Sequence, residues 1–310
     1  MKKMKIFGLI LLLSVIVILS GCIGSQKTQD IQYNGKNQEP TATPSVIVTK
    51  SDNKITVGTF NIHKFNTEKA STPEIMGVLS KIVRNFDVIA LQEINDRPQT
   101  ALPMLRDAVN SIGRSQYEYV VGRTTSIEQY AYFYNTQTIK LMGSPYLYND
   151  SNSIFKIDPY VEQFKVKKNN FDFVLINIHT NPDRATHEIK DLPKVVEDTK
   201  SRYQGESDII IIGDLNADCN HSNANSPSPL RTSDYYWLIN NSVDTTTIES
   251  TNCTYDRIII TTPTLPDFTG KSGVFRFDAA YNLSYNSTIA VSDHYPVYAE
   301  FWGNRDIDRK

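Results

Sequence analysis

Apolar residues fall along this chain in short blocks with two rhythms. Some alternate or run unbroken for the length of a strand; others return every third or fourth position, as on the buried face of a helix. Residues 55–62 (ITVGTFNI) alternate and predict a strand, and 87–94 (DVIALQEI) predict a buried one. Between them, 71–86 carry helical spacing, with Ser71 as the cap, Pro73 early and Glu74 completing a capping box. A second helix is predicted over 102–112, then a meander of strands at 117–122, 129–135 and 139–143. Residues 160–180 predict a hairpin turning at KNN, and 185–203 a helix interrupted at Pro193. Four isoleucines at 209–212 read as a strand buried on both faces, followed by strands at 257–262 and 297–302. The order lacks a strict βαβ rhythm. An α/β (α+β) architecture of two packed mixed sheets with helices outside fits it better than one parallel sheet.

The two ends of the chain break this pattern. Met1 to Lys5 is a short basic region and Ile6 to Leu19 an apolar run of signal-peptide length. It closes in LSGC, which resembles a lipobox, so residues 1–21 are expected to be cleaved and Cys22 to be lipidated. An uncleaved signal anchor is the alternative. Residues 22–52, rich in Gln, Thr, Ser, Asn and Pro, read as a disordered linker, 53–303 as the folded domain and 304–310 as a frayed polar tail. Either reading of the N-terminus puts the domain outside the cytoplasm and against a membrane.

Charge and cysteine content refine this. The formal net charge is −2, and −5 once the three lysines of residues 1–21 are lost, so there is no global basic signature of a nucleic-acid binder. A polyanionic substrate would need local cations or bound metal. Three cysteines are present. If Cys22 carries lipid, Cys219 and Cys253 are left to pair in an oxidising compartment, closing a loop of about 35 residues that stabilises by roughly 3–4 kcal/mol. Two free buried thiols are the alternative.

Candidate chemistry gathers where apolar strands end. Asn61 and His63 close the first strand, Gln92 and Glu93 the second, His179 the hairpin, and Asp214 and Asn216 the isoleucine run; Asp256 opens one strand, and Asp293 and His294 precede the last. Each alone is ordinary. Asn61 could be a satisfied core amide, Glu93 could pair with Arg97, and Asp and Asn favour turns anyway. Together they put carboxylates, amides and histidines at equivalent places, where α/β proteins build sites.

In order, GTFNI, LQEI, NIHTNP, GDLNADC, NCTYDRI and SDHYPV resemble the endonuclease/exonuclease/phosphatase superfamily, and within it the deoxyribonuclease I-like branch, over about residues 53–302. The resemblance implies a four-layer α/β sandwich with the site at one edge of two face-to-face mixed sheets. It implies His294 as base oriented by Asp256, and His179 as acid paired with Glu128. Glu93, Asn61 and Asp293 would hold Mg²⁺ or Mn²⁺, with Asp214 and Asn216 binding a second ion or the phosphate. It places Cys219 and Cys253 at a structural disulfide, and Asp244 and Thr247 of VDTTT at a structural Ca²⁺ site. The chain departs from that pattern mainly at groove contacts. Asn95 stands where a basic residue is expected, which leaves His63, Arg97 and Lys156 as candidate substrate contacts; Ser126 is nearest to an expected stacking tyrosine; the second, small disulfide is missing.

The resulting expectation is a monomeric, membrane-tethered, metal-dependent endonuclease that cuts DNA with little sequence preference and leaves 5′-phosphates. No protein partner is expected. The alternatives are hydrolysis of RNA, nucleotides or phospholipid and inositol phosphates, or a catalytically silent surface-binding lipoprotein.

Overall fold

The computed structural model describes residues 53–123, 128–222 and 226–308. The expected signal peptide, Cys22, the linker up to residue 52 and Ser126 lie outside the described residues. The first part of the chain forms β1 (Lys54–Phe65), α1 (Thr67–Ala70), α2 (Pro73–Val83), β2 (Val88–Ile94), α3 (Ala101–Ser111), β3 (Tyr117–Gly122) and β4 (Gln129–Asn135). Then come β5 (Ile139–Leu141), β6 (Tyr146–Leu147), β7 (Tyr160–Val166), β8 (Asp172–His179), α4 (Ala185–Arg202) and β9 (Ile209–Asp214). The last part contains β10 (Tyr235–Trp237), β11 (Asp256–Thr261), β12 (Phe268–Val274), α5 (Phe277–Tyr281), α6 (Tyr285–Val291) and β13 (Val297–Trp302).

The strands make two mixed sheets. One has the order β12-β13-β1-β2-β4-β3; the other has β10-β11-β9-β8-β7-β5, with β6 also on β7. Each has one parallel pair at its centre, β1 with β2 and β8 with β9, while the other pairs are antiparallel. The isoleucine run shows why the sheets stack. Side chains alternate along a strand, so Ile210 and Ile212 join Val57, Val88, Tyr132 and Phe164 between the sheets. Ile209 and Ile211 point outward onto Leu192, Val195 and Val196 of α4. On the far side, Leu79, Ile82 and Leu105 of α2 and α3 cover Phe60, Ile89 and Leu91. The layers run helix, sheet, sheet, helix. A buried polar bridge crosses the middle: Gln92 Nε2 donates to Asn177 Oδ1 at 2.7 Å, and Asn177 Nδ2 donates to the Leu91 carbonyl at 3.2 Å. It fixes the two parallel pairs against each other directly beneath their C-terminal ends.

Three local readings need correction. Ser71 does not cap the first long helix. Pro73 holds Thr72 in an extended conformation, so Thr72 is the N-cap, its hydroxyl turned back to the Glu68 carbonyl rather than capping α2, and Ser71 ends α1 with its hydroxyl donating to the Thr67 carbonyl. Pro193 does not interrupt α4, which runs through it. The lost backbone bond is outweighed by burial of Ile189, Leu192, Val195 and Val196 on one face. Nor does the tail simply fray: Asn170 Nδ2 donates to the Asp306 carbonyl at 2.7 Å, and the Ser207 N–H to Asp308 Oδ2 at 2.7 Å.

One buried acid tunes the stability of this core. Glu162 of β7 is fully buried, with Oε2 unpartnered, and burial pushes its carboxyl up to about 8 despite the Gln163 N–H bonded to Oε1. A carboxyl that stays protonated in the fold but ionises in the unfolded chain loses stability for the protein as pH rises from about 4.5 to about 8. Glu162→Gln is expected to flatten that fall, on the order of 4 kcal/mol over the interval. Urea unfolding at pH 5 and pH 8.5 reads it; equal slopes for both proteins would refute the assignment.

Candidate active site

The ends of the two parallel pairs face the same edge of the sandwich, and the backbone there is bent to aim side chains. In the β1–β2 ladder Asn61 pairs with Gln92, and the next pair is Phe65 with Ile94. Glu93 therefore stands opposite three residues and drops out of the β4 ladder as well. It takes a left-handed conformation (φ 58°), as do His63 (45°) and Lys64 (49°). Such a backbone costs ~1–3 kcal/mol for a non-glycine residue and is kept where the surroundings impose it. The bulge turns the Glu93 carboxylate, which an unbroken strand would send elsewhere, towards Asn61. In the other sheet His179, Asp214 and Asp256 lie side by side in register on β8, β9 and β11. His294 comes alongside through a single bridge to Thr246.

These elements bring two imidazoles onto one carboxylate. His294 Nδ1 lies 2.9 Å from Asp256 Oδ2, and His179 Nδ1 lies 2.8 Å from Glu128 Oε1. Their Nε2 atoms are 3.6 and 3.5 Å from Asp214 Oδ2. Asn61 Nδ2 donates to the same Asp214 oxygen at 3.1 Å and to Glu93 Oε1 at 3.0 Å. Asp214 Oδ1 accepts the Asn216 N–H, and Asn216 Nδ2 donates to the Thr180 carbonyl, both at 3.0 Å. The electrostatics follow. Burial alone would depress both histidines, but Asp256 and Asp214 outweigh it and hold His294 at about 10, and Asp214 and Glu128 hold His179 at about 9. Asp214 is pulled below the usual carboxylate range by both imidazoles against the effect of burial. The side chains of His179 and His294 stay 13% and 11% exposed, so solvent reaches both.

A second, shallower cluster adjoins the first. His63 Nδ1 is 3.0 Å from Asp293 Oδ1 and 3.9 Å from Glu93 Oε2. Burial works against the Asp293 carboxylate, yet His63 and His294 bring it down to about 2. Lys69, which sequence reasoning missed because the short α1 was not foreseen, lies beside these acids. Its ammonium donates to the Ile62 and His63 carbonyls, both at 2.7 Å, and burial lowers it to about 8 against the pull of Asp293 and Glu93. Lys69→Met leaves two carbonyls of a strained bulge unpaired and is expected to lower the unfolding free energy by about 2 kcal/mol. An unchanged urea midpoint would show that the ammonium does not brace this loop.

The oxygen donors of Asn61, Glu93 and Asp293 suit a hard divalent cation. Asp214, Asp256 and His294 also bring ligand atoms within 4.8 Å of one another, but the His294–Asp256 hydrogen bond already occupies that set. Cys219 and Cys253 are bonded, with Cα atoms 5.8 Å apart, tying the Asn216 loop to the start of β11. Asp244 Oδ1 closes its own turn by accepting from the Thr246 N–H and hydroxyl at 2.9 and 2.8 Å, while the Thr247 hydroxyl donates to the Ser292 carbonyl at 2.8 Å. The two side chains thus serve the loop below Asp293. Arg97 and Lys156 are exposed, and among the described residues neither makes a side-chain bond to the histidine–carboxylate cluster.

Comparison with known proteins gives the family and the fold. The Endonuclease/Exonuclease/phosphatase family profile covers residues 58–294. Deoxyribonuclease gamma of Rattus norvegicus is 34% identical over 262 residues, spanning 79% of this chain and 84% of its own. Deoxyribonuclease-1 of Bos taurus is 33% identical over 260 residues, spanning 78% and 90%. A solved endonuclease/exonuclease/phosphatase family protein from Bacteroides thetaiotaomicron superposes with a TM-score of 0.57 at 15% identity, covering 83% of this chain and 98% of that one.

Proposed function

Because this chain belongs to the endonuclease/exonuclease/phosphatase family, we propose that it is a metal-dependent endonuclease that hydrolyses DNA phosphodiesters to 5′-phosphate ends. The observation that carries the reading is the pair of carboxylate-oriented imidazoles converging on Asp214. A divalent cation held by Glu93, Asn61 and Asp293 would supply positive charge to the phosphate oxygens. The chain's own groups do the rest. His294 Nε2, in its neutral form, takes a proton from the attacking water as the new P–O bond forms. Asp256 on Nδ1 fixes the tautomer and stabilises the imidazolium. The bond to the 3′ oxygen breaks as His179 Nε2–H delivers its proton there, with Glu128 holding that ring. Asn61 spans Asp214 and Glu93 and keeps the two clusters in register.

The lipobox-like LSGC ending at Cys22 supports a membrane tether and an extracytoplasmic site of action, and the Cys219–Cys253 disulfide supports the second of these. The test is nicking of supercoiled plasmid by the full chain in detergent, with Mg²⁺ and Ca²⁺ or with EDTA. Mg²⁺-dependent open circles with 5′-phosphate ends are expected; plasmid left intact would exclude the reading. A second reading within the family, a smaller phosphate ester as substrate, is favoured by one feature. Asn95 stands where the resemblance leads one to expect a basic residue, and among the described residues the exposed Arg97 and Lys156 make no side-chain bond to the cluster. A panel of DNA, RNA, nucleotide and inositol phosphate substrates separates the two.

A further inference from the structure

The strand that ends in Asp214 begins, about 20 Å away, among acids that the reaction does not use. Glu206 and Asp208 precede β9, Asp267 precedes β12, and Asp306 and Asp308 come from the tail after β13. One oxygen from each of Glu206, Asp208 and Asp308 lies within 4.8 Å of the other two. Asp208 is 1% exposed and Asp267 0%, yet Asp208 Oδ1 and both carboxylate oxygens of Asp267 have no hydrogen-bond partner. Buried carboxylate oxygens are normally paired, because leaving them unpaired forfeits their hydration.

The compensating positive charge is small. Lys165 acts on Asp306 but also serves Asp172 at 3.4 Å, and Arg305 acts on Asp267 while its guanidinium stacks over Trp302 at 4.1 Å. Burial and mutual repulsion push Glu206 and Asp208 up to about 8 and Asp267 up to about 7. The ligands are nonetheless held in place. Glu206 accepts from the Asp208 N–H at 2.8 Å and from Gln163 Nε2 at 3.1 Å, and Asp308 accepts from the Ser207 N–H and hydroxyl. Three carboxylates whose oxygens converge within 4.8 Å, orphaned buried oxygens on Asp208 and on the neighbouring Asp267, and no nitrogen or sulfur donor among them make a donor set for a hard, oxygen-preferring ion.

We propose that Glu206, Asp208 and Asp308 bind one divalent cation of the calcium class, with Asp267 and Asp306 adding negative charge around it, and that this ion fastens the C-terminal tail across the base of the second sheet. The site is separate from Glu93 and works whether or not the chain cuts DNA.

The experiment uses the full chain carrying Glu93→Gln, which disables the other candidate cation site. Added Ca²⁺ at ~100-fold excess over its Kd is expected to raise the thermal midpoint by about 5–10 °C. Asp267→Asn and Asp308→Asn, each in the same background, are expected to abolish the rise and weaken Ca²⁺ binding at least ~10-fold, because affinity follows the negative charge gathered around the ion. Tb³⁺ supplies a second readout. Trp302, whose backbone N–H donates to the backbone carbonyl of Asp267 at 2.7 Å, should sensitise its emission; Trp302→Phe should quench it while Trp237 remains. Asp308 lies on the tail, so its variant tests the proposal even if Asp267→Asn fails to fold. A midpoint rise that survives both substitutions would place the ion elsewhere. A cation-free Asp267→Asn protein that is more stable, with no Ca²⁺ bound by the parent, would show that the acids share protons instead; either result overturns the site.

Discussion

Replacing His294 with alanine is expected to lower kcat for plasmid cleavage by about 10³–10⁴, the range found when a general base or its orienting partner is removed. The argument rests on position. Nδ1 is occupied by Asp256 at 2.9 Å, so Nε2 alone faces Asp214 and solvent, and only that atom can exchange a proton with water. Asp256→Asn should approach the same loss without removing the ring, because the amide cannot stabilise an imidazolium. His179→Ala should fall in the same range. The double variant should lose little more than either single one, since base and acid act in one displacement. Alanine at 294 also strands the fully buried Asp256 carboxylate, so His294→Gln, which keeps a donor near it, is the companion variant. A folded His294→Gln protein with near wild-type kcat would remove the imidazole from the mechanism.

Much of this site was legible because polar residues ended apolar strands. A carboxylate or imidazole after a run such as Ile209–Ile212 has no packing reason to be there, and Asn61, Glu93, His179, Asp214, Asp256 and His294 do meet at one edge. The unbroken isoleucine run also announced a strand buried on both faces, while the four layers were implied by the family resemblance. What stayed hidden depends on non-local geometry. No propensity announces that Glu93, a residue with a side chain, adopts φ 58°; the bulge exists because two ladders release that residue together. Lys69 was invisible because α1 is a single turn that packing, not periodicity, sustains. The Gln92–Asn177 bridge joins strands 85 positions apart, and the acids of the distal cluster come from three separate segments. Each piece reads singly as a solvated charge. Pro193 misled in the opposite direction: the local penalty is real, but the buried face of α4 exceeds it.

The largest combined effect on stability and activity is expected from a single methyl group, in Gly213→Ala. Gly213 has φ 148°, a conformation that side chains rarely adopt, and a Cβ there would stand 1.8 Å from the Ile178 carbonyl oxygen and 2.9 Å from its carbon. That oxygen is backbone in the neighbouring parallel strand and cannot swing aside. To admit the methyl, β8 and β9 must part at the rung between Ile178 and Gly213, which immediately precedes the rung between His179 and Asp214. Overpacking and forced backbone strain together should cost at least ~4 kcal/mol. Displacing the His179 ring from Asp214 by ~1 Å should add a loss of about 10² in kcat in whatever protein still folds. Gly77→Ala is the control: in α2 its Cβ would meet nothing within 4 Å, so the added methyl should stabilise by about 0.5–1 kcal/mol and leave cleavage unchanged. Were Gly213→Ala to melt with the parent and cut at its rate, the close approach of these two strands could not be what holds the acid and the imidazole together.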